Sequence, residues 1–177
     1  MGKIQKHFID YGCGFPVILK NVPMIQVRGV WTPDINYAEL HKAVLHALAN
    51  KPVRLTGNEI KFIRHYFEWT LTQFGEYFDV SHPAVLKWEA AGDDVPPIKW
   101  SIERDIRLFI LDRLKETPKQ IGELYQGLRS VVGRPKTNKL NLGDFFRPDI
   151  SQQETEGGPC AGIGAHRGKA GLQGSEE

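Results

Sequence analysis

The sequence predicts a mainly α protein of the α+β class, with a small N-terminal hairpin-plus-helix region, a group of short helices and a disordered C-terminal tail. Residues 15–31, FPVILKNVPMIQVRGVW, are rich in β-branched residues, as strands are. Residues 34–132 repeatedly space their apolar side chains as amphipathic helices do. Residues 147–177 hold mostly Gly, Ser, Gln and Glu with few large apolar residues, a composition typical of disorder.

Composition indicates an ordinary soluble globular chain. It has 177 residues, of which 41% are hydrophobic and 25% charged, and its net charge is +2. The two cysteines, Cys13 and Cys160, are too few for a disulfide framework or a four-cysteine zinc site, which favours a reducing setting. No apolar run approaches the roughly 20 residues of a membrane helix, and the N-terminus lacks the apolar core of a signal peptide. We therefore expect a cytoplasmic protein with no membrane partner.

Residues 1–52 are predicted to form a small α+β region. The β-branched run is interrupted by Asn21 and Pro23, which predicts a short hairpin within 15–31. The following residues have the apolar spacing of a helix, with Asp34 as its expected N-cap and Pro52 just beyond its end.

Three short helices are expected next, at 57–67, 71–78 and 82–91. Two of them begin with a capping box, in which a threonine hydroxyl accepts a backbone N–H and a Glu or Gln side chain accepts one in return. The paired residues are Thr56 with Glu59 and Thr70 with Gln73. Ser81 is the expected third cap, with Pro83 tolerated in the first turn.

The second and third of these helices are too short to bury a core alone, so they must cross each other sharply. Gly75 is small and lies where the two helices would approach most closely. Four apolar side chains are expected to point inward together: Phe74, Phe78, Val85 and Trp88. The third helix then presents its other side to solvent, and a helix presented in this way fits the major groove of DNA.

A linker and two further helices are predicted to follow. Residues 93–100 contain two prolines and cannot be helical throughout. A broad apolar stripe then marks a long helix, with Ile102, Ile106, Phe109 and Ile110. This stripe can pack against its copy in a homodimer or against the preceding short helices, and both alternatives stay open. The expected boundaries are 53–116 for the helix-turn-helix domain with its following helix, 117–146 for a helical and basic extension, and 147–177 for the tail.

The segment WTLTQFGEYFDVSHPAVLKWE resembles the helix-turn-helix of Cro/CI-type (Xre) regulators, which have the lambda-repressor-like fold. The matching positions are Phe74-Gly75, in the place of the family's Leu-Ala, and Val80-Ser81, Val85 and Trp88-Glu89. Asp79 stands where the family has its turn glycine, and Leu71 stands where it often has a glutamine. The resemblance implies a dimeric, DNA-binding transcriptional regulator that represses from a palindromic operator.

Over residues 11–115 the chain also resembles regulators related to the MqsA-type antitoxins. Several of those relatives have an N-terminal zinc ribbon with two Cys-x-x-Cys pairs. Only Cys13 stands in this region here, so the resemblance carries no zinc site. It does suggest an antitoxin with a toxin protein as partner.

DNA contacts are expected from the third helix and from the helix starts, where hydroxyls and backbone N–H groups reach phosphates. The expected DNA-binding residues are Thr70, Thr72, Ser81, His82, Pro83, Ala84 and Lys87. Lys87 can reach a guanine or a phosphate, whereas Gln73 is expected to act as a cap. Charge argues the other way, because residues 56–92 carry three Lys or Arg against five Asp or Glu.

Other classes of function remain to be weighed. The alternative to a DNA-binding regulator is a protein-interaction module that neutralises a toxin mainly through residues 1–50. An enzyme is not expected, since the sequence has neither a recognisable set of nucleophile, base and orienting residue nor a glycine-rich phosphate loop. We expect no cofactor and no metal site, because His41 and His46 are five residues apart and do not share a helix face.

Overall fold

The computed structural model describes residues 3–115, 117–128 and 140–142, which form six helices and a small four-stranded sheet. The fold is therefore mixed α+β. The strands are β1 (Lys3–Asp10), β2 (Val17–Val27), β3 (Val30–Pro33) and β4 (Leu140–Leu142). The helices are α1 (Tyr37–Ala49), α2 (Gly57–Tyr66), α3 (Leu71–Tyr77), α4 (His82–Glu89), α5 (Trp100–Arg113) and α6 (Pro118–Leu128). All these elements belong to one compact unit, which spans Met1–Arg147.

Strand β2 is the centre of the sheet and pairs with the other three strands. β1 runs antiparallel along one side of it. On the other side, the end of β2 pairs antiparallel with β3, and its beginning pairs parallel with β4. The predicted hairpin is therefore longer than expected and turns at Arg28-Gly29, where φ is 50° and 83°. Two residues with positive φ give the strands the twist that a tight hairpin needs.

The prediction that Asn21 and Pro23 break this segment was wrong, because β2 continues through both. Asn21 takes a left-handed φ of 55°, which its short polar side chain tolerates. At this point the buried positions shift from Val17 and Leu19 to Val22 and Met24. The strand thus bends while it keeps β1 as its partner on both sides of the bend.

The three short helices begin and end close to their predicted bounds, and both predicted capping boxes are present. One other cap was predicted wrongly, and a second makes a different contact from the one expected. Asn36, not Asp34, caps α1, because Asp34 is held to the sheet by a hydrogen bond from its N–H to the Pro23 carbonyl. Ser81 is the N-cap residue of α4 but its side chain makes no capping hydrogen bond. Pro83 lacks the N–H that such a hydroxyl usually binds, and the N–H of Ala84 donates to the backbone oxygen of Ser81 instead.

The last predicted elements are only partly covered. Helix α6 ends at Leu128, and its predicted continuation to Val132 lies outside the described residues. The predicted disordered tail, 147–177, also lies outside them. Strand β4 was not predicted, since three residues paired with a distant strand leave no periodic signal. None of the described helices is long and apolar enough to cross a membrane.

The apolar stripe of α5 is buried inside the chain. Ile106 and Ile110 are fully buried and Phe109 is 5% exposed. The ring of Phe109 lies 4.9 Å from that of Phe67 and 5.1 Å from that of Trp69, measured between centroids. Of the two alternatives for the stripe, packing within the chain is the one that the structure adopts, and these three side chains cannot form a dimer interface.

A buried network of charged groups joins α5 to the segment between α1 and α2. The fully buried guanidinium of Arg107 donates to the carbonyls of Lys51 and Val53, and its Nη2 lies 2.8 Å from Glu103 Oε1. Glu103 also accepts a hydrogen bond from Arg54 Nε. Buried charges are tolerated when each has a partner, as these have. The network fixes the chain at the point where it enters α2.

Candidate nucleic-acid interface

Helices α3 and α4 cross at a tight turn that spans residues 78–81. Asp79 takes a φ of 54°, a left-handed conformation that glycine adopts readily and that aspartate adopts occasionally. The N–H of Val80 donates to the carbonyl of Gly75 at 2.8 Å. A Cβ on Gly75 would lie only 2.6 Å from the Val80 oxygen, so a larger residue does not fit without movement. The two helices are therefore held at backbone contact.

The inner sides of these helices meet in the core, as predicted. Phe74, Val85 and Trp88 are buried, and Phe78 is partly buried beside Phe74. Trp69, which precedes the N-cap residue of α3, packs its ring 6.1 Å from that of Phe74, so an apolar pair spans the start of this helix. The orientation of α4 is thus set by the packing of Val85 and Trp88 in the core.

An ion pair also fixes the end of α4 to the end of α2. Arg64 donates from Nε and Nη2 to the two carboxylate oxygens of Glu89, at 2.6 and 2.9 Å. Its third donor, Nη1, binds the carbonyl of Trp69 at 2.7 Å. A two-point contact between guanidinium and carboxylate defines both distance and angle. Sequence reasoning counted both charges without pairing them, since nothing in a single sequence links positions 25 residues apart.

The outer side of α4 carries the predicted contact residues. His82, Pro83 and Lys87 are exposed, and Ala84 is partly exposed. Leu86 lies on the same side and is 51% exposed, but it was not predicted. The signal for it was available, because position 86 is out of phase with the buried Val85 and Trp88 on a helix.

The predicted contacts at the helix starts are also exposed, namely Thr70, Thr72 and Ser81. The Thr70 hydroxyl already accepts the N–H of Gln73, at 3.2 Å, which leaves its proton free to donate to a phosphate oxygen. Ser81 has no capping hydrogen bond, which leaves its hydroxyl both as a donor and as an acceptor. The structure therefore places all seven predicted residues on the surface of two helices in direct contact.

The surface of the three helices is less acidic than the sequence count indicates. Two of the five carboxylates there are neutralised inside the molecule, Glu59 by Lys51 at 2.6 Å and Glu89 by Arg64. The carboxylates that remain exposed are Glu68, Glu76 and Asp79. Because Arg64 was one of the three cations counted, Lys61 and Lys87 are left against these three carboxylates, and the excess of negative charge falls from two to one. The outer side of α4 has Lys87 as its one lysine or arginine.

Comparison with known proteins gives no guide to this site. The chain matches no model of a protein family, and no curated protein and no solved structure is significantly similar to it. Within the described ranges, no group of three or more His, Cys, Asp or Glu side chains is placed to hold a metal ion.

Proposed function

We propose that this chain is a sequence-specific DNA-binding transcriptional regulator of the Xre type, with a lambda-repressor-like helix-turn-helix. The main support for the proposal is that α4 is fixed on one side and exposed on the other. Its inner side is fixed by packing and by the Arg64–Glu89 pair, whereas its outer side is open to solvent. A short helix held rigidly in this way by two others meets the requirement for entry into the major groove.

The outer side chains of α4 offer several kinds of contact with base edges. Lys87 can donate to the O6 and N7 atoms of a guanine, and His82 can donate to the same acceptors. Leu86 and Ala84 offer apolar contacts for thymine methyl groups. The proposed specificity thus comes from four side chains on one helix.

Phosphate contacts are assigned to the helix starts. The hydroxyls of Thr70, Thr72 and Ser81 and the free N–H groups at the start of α3 can bind phosphate oxygens and fix the orientation of the protein on the duplex. Neutral donors release few counterions, so we expect the affinity for DNA to depend only weakly on salt. The logarithm of the association constant should fall with the logarithm of the salt concentration, with a slope of about −0.9 for each phosphate that a Lys or Arg neutralises.

Regulators of this kind bind as homodimers, and we extend the proposal to a dimer that represses transcription in the cytoplasm, as an antitoxin-like regulator of its own promoter. Two copies of α4 would then contact half-sites roughly 34 Å apart, about one turn of DNA. The dimer contact must use a surface other than Ile106, Phe109 and Ile110, since these are buried.

The test is fluorescence anisotropy of the full chain on the DNA upstream of its own gene, with a scrambled duplex as control. Lys87→Ala and His82→Ala should each weaken specific binding by about 1–3 kcal/mol. Lys119→Ala, which removes an exposed lysine from α6, should leave it unchanged. Equal affinity for both duplexes, or equal affinity of all variants, would refute the proposal.

The second candidate function, a protein-interaction module that neutralises a toxin, is favoured by one observation on the sheet. Ile4, Ile25, Val27 and Val30 share one face, since Ile4 lies opposite Pro23 and Val27 opposite Val30. All four are between 45% and 66% exposed. Clusters of exposed apolar side chains commonly mark protein interfaces.

This second function is tested with the protein encoded by the neighbouring gene, by light scattering of the mixture. Ile25→Asp should abolish a complex that depends on this face. Gln26→Asp, one residue further along on the opposite face of β2, is the matched control and should leave the complex intact. Equal behaviour of the two variants would contradict an interface on the exposed face.

A further inference from the structure

A cavity of about 460 Å³ lies between the N-terminal region and α2. Its walls come from the loop between β1 and β2, from α1 and from α2. The residues that matter for its chemistry are Cys13, His41, Lys61, Phe62, His65 and Tyr66. Its volume lies within the range of small-molecule sites, which is about 300–1,000 Å³.

One wall of the cavity is aromatic. Phe62 is 9% exposed, and its ring is held edge-on by His41 at 5.6 Å and by Phe15 at 5.7 Å. The ring of Tyr66 follows one helical turn later, 6.4 Å from that of Phe62. Side chains braced in this way offer a fixed surface against which a flat ring can pack.

Lys61 and His65 are the donors considered for a ligand; Asn58 also lines the cavity, and its amide nitrogen donates to Asp93 Oδ1 at 3.0 Å. Lys61 is exposed and, within the described part of the chain, forms no ion pair with a carboxylate. His65 receives a hydrogen bond on Nε2 from Arg64 Nη2, at 2.9 Å, because a guanidinium can only donate. The imidazole therefore carries its proton on Nδ1 and acts as a donor there. Both groups favour an anion.

The described residues that line the cavity include no carboxylate. Cys13 is buried, and burial together with the nearby carboxylate of Asp10 raises the pKa of its thiol to about 12, so the thiol stays neutral. Asp10 itself is buried beside the cavity rather than in its wall, and its Oδ2 accepts the N–H of Gly12 at 3.0 Å. The neutral thiol does not repel an anion, whereas the Asp10 carboxylate disfavours negative charge beside Cys13. An anion is therefore expected on the α2 side of the cavity, at Lys61 and His65.

We propose that this cavity binds a small anion with a planar ring, of the aromatic carboxylate class. The ring packs against Phe62 and Tyr66, and the carboxylate binds Lys61 and the Nδ1–H of His65. The proposal goes beyond DNA binding and does not depend on it, because the cavity is formed by the protein alone.

The experiment is a titration of the full, isotopically labelled chain with 2-naphthoate, followed by amide NMR shifts. Saturable shifts are expected at Gly12, Lys61 and Tyr66. Two related probes test the charge and the ring separately. 2-Naphthylmethanol lacks the negative charge, and cyclohexanecarboxylate lacks the planar ring. Each should bind about tenfold more weakly than 2-naphthoate, as expected for the loss of one charge-assisted hydrogen bond or of the ring contact.

Two variants complete the test. Lys61→Gln should weaken 2-naphthoate binding about tenfold, whereas Lys119→Gln, on α6 and outside the cavity, should not change it. The unbound spectra show that each variant is folded. The proposal is overturned if no saturable shift occurs at the cavity up to the solubility limit of the probe, or if Lys61→Gln binds as tightly as the unchanged chain.

Discussion

The side chain of Arg64 connects three helices, and its main partner is the carboxylate of Glu89. The guanidinium binds both carboxylate oxygens of Glu89 at the end of α4, and it binds the carbonyl of Trp69 just before α3. Arg64 itself lies in the last turn of α2. The position of α4 relative to the other two helices is thus defined by hydrogen bonds as well as by packing. These contacts hold α4 in place while its outer side stays open to solvent.

Removing this pair should destabilise the fold. Glu89→Gln keeps the shape of the side chain but leaves the guanidinium of Arg64, which is 12% exposed, without a counter-charge. Breaking a pair this well buried costs about 3–5 kcal/mol. Urea unfolding followed by tryptophan fluorescence measures the loss. Glu123→Gln, in the exposed pair of α6 with Lys119, should change stability little. A similarly small effect of both variants would show that the Arg64–Glu89 pair is not structural.

Two glycines in helices should respond oppositely to alanine. Gly75→Ala places a methyl group 2.6 Å from the Val80 oxygen and should destabilise the protein, because the turn must open. Gly122→Ala meets no atom within 4 Å and should stabilise α6 by about 0.5–1 kcal/mol. Thermal unfolding measures the midpoint temperature of each variant, which should fall for Gly75→Ala and rise for Gly122→Ala. A neutral Gly75→Ala would show that α3 and α4 are not held at backbone contact.

The three short helices could be predicted from sequence because their signals are local. The capping boxes at Thr56 and Thr70 and the apolar residues across them lie within a few positions of each other. The same holds for Gly75, whose role follows from the close approach of two short helices. Asp79 was marked by the resemblance, since it stands in the place of the family's turn glycine. Local signals of this kind need no knowledge of the remaining fold.

The features that could not be predicted depend on contacts between residues far apart in the sequence. β4 becomes a strand only because β2 offers it a free edge. Glu103 and Arg107, on an otherwise amphipathic helix, were not recognised as core residues, because their partners lie about 50 positions earlier in the chain. The cavity beside Lys61 was missed for the same reason, since its walls come from three separate segments.

The buried charge network should be essential to the fold. Arg107→Met leaves the carbonyls of Lys51 and Val53 without their donor and leaves Glu103 with fewer partners. We expect a loss of about 3–5 kcal/mol in the free energy of unfolding. Arg104→Met is the matched control on the same helix, because its ion pair with Asp105 is long, at 3.7 Å, and partly exposed. Urea unfolding of both variants measures the change in the free energy of unfolding. Equal losses in the two variants would rule out a special role for Arg107.

Stability should fall at alkaline pH through Cys13. The folded state raises the pKa of this thiol from an ordinary 9.0 to about 12, chiefly because the thiolate would be buried and secondly because Asp10 is near. A group whose pKa is raised on folding stabilises the protein fully below its unfolded pKa, and this contribution is lost as the pH rises from 9 towards 12. The slope is at most about 1.4 kcal/mol per pH unit for one proton.

The measurement for Cys13 is urea unfolding at pH 8, about 9.5 and about 10.5, which span the lower part of this window. Lysines and tyrosines also titrate there, so the comparison is made with Cys13→Ala, in a background where Cys160→Ser removes the other thiol. The stability difference between the two proteins should shrink steadily above pH 9, because only the chain with Cys13 releases that proton on unfolding. A difference that stays constant across the series would mean that the thiol ionises as readily in the folded chain as in the unfolded one.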